Sequence, residues 1–363
     1  MTAKACWKIF QHQYEFIESI TVVLKDVVVR VVQMEVVMVI VTAHLAVTIR
    51  PVDIHKNRDK MTTPRYAAIT LGSNSFNMLV AETVAGQPKI IAKYKRKVRL
   101  AEGIQDNGSL SEEVLQRGLD CLSMFAEMLE EEGVDRNHIA VIATATIRSI
   151  ANSDEFCRRA LPILGHPIEI ITGMREAELI YQGMVATTCG EGRRLVIDIG
   201  GASTEFIIGD GDKVLLKNSL AMGCVTFNEH FFNSFPLQEL DFEDAKSRVK
   251  QTLGTHLTEL KTLGWHCVVG ASGSVQSVVE LLSHRNQSTS ITPDVLNRLK
   301  QEVLEQSDLS MEHIVGLNHE RAPTFAAGIS ILLALFELLN IDKLNLSGGA
   351  LREGVLQSLA NRS

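Results

Sequence analysis

The feature that most constrains this chain is a pattern that occurs twice. Ala67-Ala68-Ile69 runs into Gly72-Ser73-Asn74-Ser75 and returns as Met78-Leu79-Val80. Much later, Leu195-Val196-Ile197-Asp198-Ile199 runs into Gly200-Gly201-Ala202-Ser203 and returns from Thr204 to Ile208. Each copy reads as an apolar strand, a tight turn of small residues and a second strand. A recurrence this widely spaced is a duplicated folding unit rather than a short solenoid repeat.

Two more apolar strands break into turns of the same composition, at Gly270-Ala271-Ser272-Gly273-Ser274 and Ser347-Gly348-Gly349-Ala350. Between the copies, strands and helices alternate. Strands are predicted at 89–100, 139–143 and 168–171, and helices at 153–164 and 176–185. Ser109 and Glu112 have capping-box spacing and open a helix bearing Leu115, Leu119, Leu122, Ala126 and Leu129, with Gly133 as its stop. Asp241 to Leu263 reads as one long helical stretch. The order predicts an α/β fold with helices covering a sheet.

Glycine lets backbone N–H groups approach an anion closely, and successive N–H groups in such turns form anion-binding nests. A single turn of this kind is ordinary hairpin geometry, but four in one chain point to phosphate. None has the Walker spacing or the G-x-G-x-x-G spacing. Asp198 ends its strand directly before the glycines and Glu205 follows the turn. Carboxylates beside a phosphate grip need a cation between them, and Mg²⁺ prefers such oxygen ligands; the plainer reading of Asp198 is a turn cap. Glu176 opens a helix after Ile170-Ile171-Thr172-Gly173, where the macrodipole favours a carboxylate whether or not it works as a base.

The net charge of −7 argues against DNA as a partner. It leaves room for a small polyanion, since Lys93, Lys95, Arg96, Lys97 and Arg99 form one basic run, whose plainer reading is a solvated strand face. The six scattered cysteines have no C-x-x-C pair, which suits free thiols in a reducing cytoplasm. The segment 1–60 differs from the rest. It is Val-rich from Thr21 to Thr48, and its longest uncharged run, Val36 to Ile49, is shorter than the about 20 residues of a membrane span. It is read as an N-terminal extension without a stable membrane span, with Met61 as the expected natural start and a membrane-surface anchor as the rival.

The segments ITLGSNSFNMLV (69–80), KRKVRLAEG (95–103), ATATIR (143–148), IEIITGMREAELIYQG (168–183), VIDIGGASTEFIIG (196–209), MGCVTF (222–227), GASGSVQ (270–276) and SGGALREGVL (347–356) lie in one order over nearly the whole core. Together they resemble the Ppx/GppA phosphatases, the exopolyphosphatases and guanosine pentaphosphate phosphohydrolases. The resemblance implies an actin/Hsp70/hexokinase-like (ribonuclease H-like) core with a duplicated mixed sheet, domain I at 61–185 and domain II at 186–363, and an interdomain cleft. It implies Glu176 as general base, Asp198 and Glu205 as Mg²⁺ and water residues, and Arg148 beside the phosphoryl chain. Gly72, Ser73, Asn74 and Ser75 would form the first phosphate loop. Gly200, Gly201, Ala202, Ser203 and Thr204 would form the second, and Gly270, Ser272 and Gly273 a third. The expected reaction is removal of the terminal phosphate of guanosine pentaphosphate or polyphosphate. Ala202 and the KRKVRLA and GGALREGVL segments lean toward the guanosine branch. A homodimer is an open expectation.

Three departures stand out. Thr70 occupies a position where the family usually has Asp, so weaker Mg²⁺ binding is expected, and a binding or regulatory protein that has lost turnover is the alternative reading. Asn77 replaces a common His. Arg175 and Glu178 look exchanged, and Arg175 beside Glu176 is expected to lower the pKa of the base. The chain also ends at Ser363, where longer members continue into a helical domain, so processive action on long chains is not expected.

Overall fold

The computed structural model describes residues 19–24, 27–32, 64–84 and 87–361. The chain divides into two compact units, Met1–Lys60 and Met61–Ser363. In the first, β1 (Ser19–Leu24) and β2 (Val27–Val32) pair antiparallel. Most of the segment read as an extension lies outside the described residues, and so does the expected start at Met61.

The second unit holds two five-stranded sheets built to one plan. The first contains β3 (Arg65–Leu71), β4 (Ser75–Val84), β5 (Gln87–Lys97), β6 (Ile139–Ala143) and β7 (Glu169–Ile170), in the order β5-β4-β3-β6-β7. The second contains β8 (Arg193–Ile199), β9 (Thr204–Asp210), β10 (Lys213–Leu220), β11 (Cys267–Gly270) and β12 (Asn345–Leu346), in the order β10-β9-β8-β11-β12. In each sheet the first three strands are antiparallel and the last two join in parallel.

The duplication extends to register. Thr70 faces Asn77 and Leu71 faces Phe76; Asp198 faces Glu205 and Ile199 faces Thr204. Both turns close with the same backbone bond, Gly72 N–H to Ser75 O at 3.2 Å and Gly200 N–H to Ser203 O at 2.8 Å. On the third strand, Lys95 pairs with Asn77 as Ser219 pairs with Glu205. The cross-strand row Thr70–Asn77–Lys95 is therefore the counterpart of Asp198–Glu205–Ser219. Since side chains on directly opposed residues share a sheet face, each row presents its polar groups together.

Eleven α-helices are described: α1 (Glu112–Glu131), α2 (Ala145–Ser149), α3 (Ser153–Leu164), α4 (Gly173–Thr187), α5 (Cys224–Phe231), α6 (Glu239–Leu253), α7 (His256–Leu263), α8 (Gly273–His284), α9 (Pro293–Leu304), α10 (Phe325–Leu339) and α11 (Leu351–Ala360). The cap of α1 is Ser111, whose hydroxyl accepts from Val114 N–H, and not Ser109, which is tied to Asn107 and Gln105. The single helix expected over 241–263 is two, because Gly254 at φ 48° breaks it. The segment Ala322–Leu339, ending in α10, is long and apolar enough by length and composition to cross a membrane, yet 72% of it is buried inside the protein. There it forms the centre of the larger core with Phe232, Val249, Leu281 and Leu299.

Two helices exchange partners. Helix α4 follows the first sheet, but Ala177, Ile180, Tyr181 and Met184 pack on Val196, Ile207 and Val269 of the second. Helix α11 follows the second sheet, but Val355 and Leu356 pack on Tyr66, Ala68, Leu79 and Ile142 of the first. The end of the expected domain II thus covers the sheet of domain I. The two helices touch through glycines. A Cβ on Gly354 would overlap the Leu179 carbonyl, and one on Gly183 would overlap that of Ala350.

Candidate functional site

The duplicated turns open into one cleft of ≈ 420 Å³. Its walls include Thr70, all of Gly72-Ser73-Asn74-Ser75, Asp198, Gly200-Gly201-Ala202-Ser203, Ser272, Gly273 and Glu176. The two phosphate-type loops abut, since a Cβ on Gly201 would lie 2.8 Å from the Ser73 Cβ. Only glycine permits that approach.

Other sequence candidates stand behind the walls. Thr204 is fully buried and its hydroxyl donates to Met222 O at 2.6 Å. Gly270 serves packing, because a Cβ there would run into Val275 and Leu344. In the fourth turn Ala350 reaches the cleft, whereas Ser347 and Gly348 are held by Gly270 O and the Thr188 hydroxyl.

Three carboxylates converge from three elements: Glu176 from α4, Asp198 from β8 and Glu205 from β9. Glu176 lies in the first turn of α4, whose cap is Thr172, its hydroxyl accepting from Arg175 N–H at 3.2 Å. It is only 8% exposed, and among the described residues its Oε2 has no hydrogen-bond partner. Arg148 Nη1 is 3.7 Å from that oxygen, within ion-pair range but too far for a hydrogen bond, and instead donates to Ile171 O at 2.6 Å. Burial, reinforced by the Asp198 charge and opposed by Arg148, pushes the Glu176 carboxyl up to about 7. Burial also raises Asp198 to about 6, with Arg352 pulling it back and Glu353 adding to the rise. Glu205, 1% exposed, is raised well above the ordinary range by burial and then by Glu176 and Asp198. Its Oε1 accepts from the Ser219 hydroxyl at 2.7 Å, which offsets part of that rise.

The expectation that Arg175 depresses the base is overturned. Arg175 turns to Glu178 at 3.0 Å, and Glu178 also pairs with Lys217. The apparent exchange of charges at 175 and 178 is a salt bridge along the helix surface, and burial leaves the base raised rather than lowered.

The cleft also holds the cations Lys93, Lys95, Arg321 and Arg352. Lys93 and Lys95 belong to the basic run, whose reading as a solvated face misses its alternation, since every second residue of β5 shares a side. Burial and then the Arg321, Lys97 and Arg352 charges bring Lys95 down to about 8. Arg321 lies in an irregular segment that carried no signal, whereas Arg352 sat unremarked inside the GGALREGVL motif.

Among the described residues no group of three or more His, Cys, Asp or Glu side chains is close enough to hold a metal by itself. A cation here would take one or two carboxylates, with water and substrate oxygens completing its shell, which is the habit of Mg²⁺. The crowded, raised carboxyls and the unpartnered Glu176 oxygen suit such a cation.

The model of the Ppx/GppA phosphatase family matches residues 79–363. A guanosine-5'-triphosphate,3'-diphosphate pyrophosphatase of Vibrio vulnificus is 50% identical over 293 residues, covering 81% of this chain and 59% of the relative. One from Vibrio cholerae is 46% identical over 299 residues, covering 82% and 60%. The chain thus spans about three-fifths of the length of these curated relatives. Among solved structures, an exopolyphosphatase from Cytophaga hutchinsonii superposes with a TM-score of 0.74 at 26% identity, covering 82% of this chain and 98% of that one. The Aquifex aeolicus member of the Ppx/GppA family gives 0.69 at 26% identity, with the same coverage. A match to the family model over most of the chain, on a duplicated fold whose glycine loops meet in one cleft, leads to one conclusion: the chain belongs to the Ppx/GppA phosphatase family.

Proposed function

We propose that residues 61–363 form the core of a phosphoanhydride hydrolase with an actin/Hsp70/hexokinase-like (ribonuclease H-like) fold. It removes the terminal 5'-phosphate of guanosine pentaphosphate to give guanosine tetraphosphate, and the terminal phosphate of polyphosphate by the same chemistry, in the cytoplasm. The observation that carries this reading is Glu176, a buried carboxylate with one oxygen unpartnered, raised to about 7 beside two glycine loops. A base near the working pH is suited to taking a proton from water.

In this reading water attacks the terminal phosphorus and gives one proton to Glu176. The bond from that phosphorus to the bridging oxygen breaks, and the electron pair leaves with the shortened chain. Backbone N–H groups of the loops at 72–75 and 200–203 hold the non-bridging oxygens. Donors fixed in place before the reaction stabilise the charge of the transition state, and phosphoryl transfer depends chiefly on such positioning and electrostatics. Arg148, within ion-pair range of Glu176, limits how far its pKa rises. Asp198 and Glu205 would hold Mg²⁺, which supplies Lewis-acid charge neutralisation at the phosphate oxygens.

The test is phosphate release from guanosine pentaphosphate and from short polyphosphate with Mg²⁺. Wild type is expected to release phosphate, and Glu176→Gln to lose about 10²–10⁴-fold of the rate. Intact release by Glu176→Gln would sink the mechanism. One observation favours a second reading, a binding protein without turnover: Thr70 is the uncharged register counterpart of Asp198. Tight binding with no release by wild type would favour that alternative.

A further inference from the structure

Arg352 is one of the cleft cations that neither the loops nor the base account for. It lies in the first turn of α11, with one third (33%) of its side chain exposed. Among the described residues its guanidinium makes no hydrogen bond. The nearest carboxylate oxygen, Glu353 Oε1, is 4.0 Å away. The other Glu353 oxygen is already engaged, accepting from Ala350 N–H at 2.8 Å as the helix cap. Five donors in a planar fork therefore stand available in a cleft lined by anion-type loops, and that fork matches two oxygens of a phosphate.

Its location is fixed by backbone rather than by a flexible loop. Gly354 and Gly183 hold α11 against α4, the helix that carries Glu176. The base and the arginine thus ride on two helices in direct main-chain contact. Arg352 also lies within electrostatic reach of both Asp198 and Lys95.

We propose that Arg352 contacts the substrate directly, gripping non-bridging oxygens of the phosphate chain from the α11 side of the cleft while the glycine loops hold the phosphoryl group under attack. This rests on the phosphate-chain reading of the cleft given above. The grip concerns the chain and not the nucleoside, so it serves guanosine pentaphosphate and inorganic polyphosphate alike.

The test is calorimetric binding of guanosine pentaphosphate and of tripolyphosphate with Mg²⁺, at several salt concentrations. It uses wild type at low temperature, Glu176→Gln, and Arg352→Gln and Arg352→Met in the Glu176→Gln background. Arg352→Met keeps the apolar stem, so it separates lost packing from lost donors. Both Arg352 variants are expected to bind each ligand about 10- to 100-fold more weakly, with a shallower salt dependence. Arg352→Lys, which restores charge without the fork, is expected to recover part of the affinity. Melting temperatures near that of the parent would confirm that the fold is kept. Affinity within twofold of the parent in Arg352→Met would overturn the inference while leaving the hydrolase reading intact. Binding without release by wild type would overturn hydrolysis and leave the Arg352 grip standing. Failure of wild type to bind either ligand would overturn both.

Discussion

Replacing Arg148 with Met should move the acidic limb of the pH–rate profile upward. The wild-type Glu176 carboxyl stands at about 7, and among the described residues Arg148 is the group that lowers it. The separation from Arg148 Nη1 to Glu176 Oε2 is 3.7 Å. A unit charge at that range contributes about 1 kcal/mol in water and about 4 kcal/mol at an effective dielectric of 20. Arg148 keeps 30% of its side chain exposed, so screening puts the effect near the lower figure. At about 1.4 kcal/mol per pH unit, that is a shift of about one unit. The base must be ionised to accept a proton, so activity rises with pH through this value. In Arg148→Met the ionised fraction at pH 7 falls from about one half to about one tenth, a loss of roughly fivefold recovered by about pH 9. The assay is kcat/KM for phosphate release from pH 5 to 10. A carboxyl-carbon NMR titration of metal-free protein would follow Glu176 without reference to turnover. A pH-independent loss would assign Arg148 to the phosphate chain alone. A limb that stays put, or moves down, would refute the assignment of Arg148 as the charge that tunes the base.

Further outcomes follow from the same geometry. Burial leaves Glu176 protonated in the folded protein at pH values where the unfolded chain has ionised it, so stability falls by about 1.4 kcal/mol per pH unit between its ordinary value and about 7. Glu176→Gln should therefore gain on wild type across that window in urea unfolding, and a constant difference would refute the assignment. Thr70→Asp restores a charge at the register counterpart of Asp198 and should lower the Mg²⁺ concentration for half-maximal release about tenfold; no change would mean that the position does not act on the cation. Gly354→Ala should lower the melting temperature by several degrees, although alanine is the better helix former by about 1 kcal/mol. A Cβ there collides with the rigid Leu179 carbonyl, and a stabilised variant would show that the helices can separate.

Much of this was legible in sequence because it is local. Apolar runs and small-residue turns marked both hairpins, and turn and strand chemistry are decided within a few residues. Asp198 and the glycine loops stood out because each sits at the end of a strand, whereas Glu176, at the start of a helix, was singled out as a base by the family resemblance. The basic run was visible, but half of its significance was lost by treating it as a block. Lys93 and Lys95 face the cleft through the two-residue period of β5, while Tyr94 between them bonds Glu132. Arg175 misled because sequence adjacency is not proximity. On a helix its partner is three residues on, at Glu178.

By itself the sequence determined the duplicated α/β plan, the family, and the identity of the turns that can grip an anion. Only the tertiary structure decided what those groups are worth. Glu176 is raised because burial removes water from its charge and Asp198 repels it, and neither effect exists until distant segments meet. Arg352 faces the cleft because two glycines let α4 and α11 touch, a contact between residues far apart in the chain. Local pattern sets which backbone forms; the dielectric and the neighbours of each charge are set by packing alone.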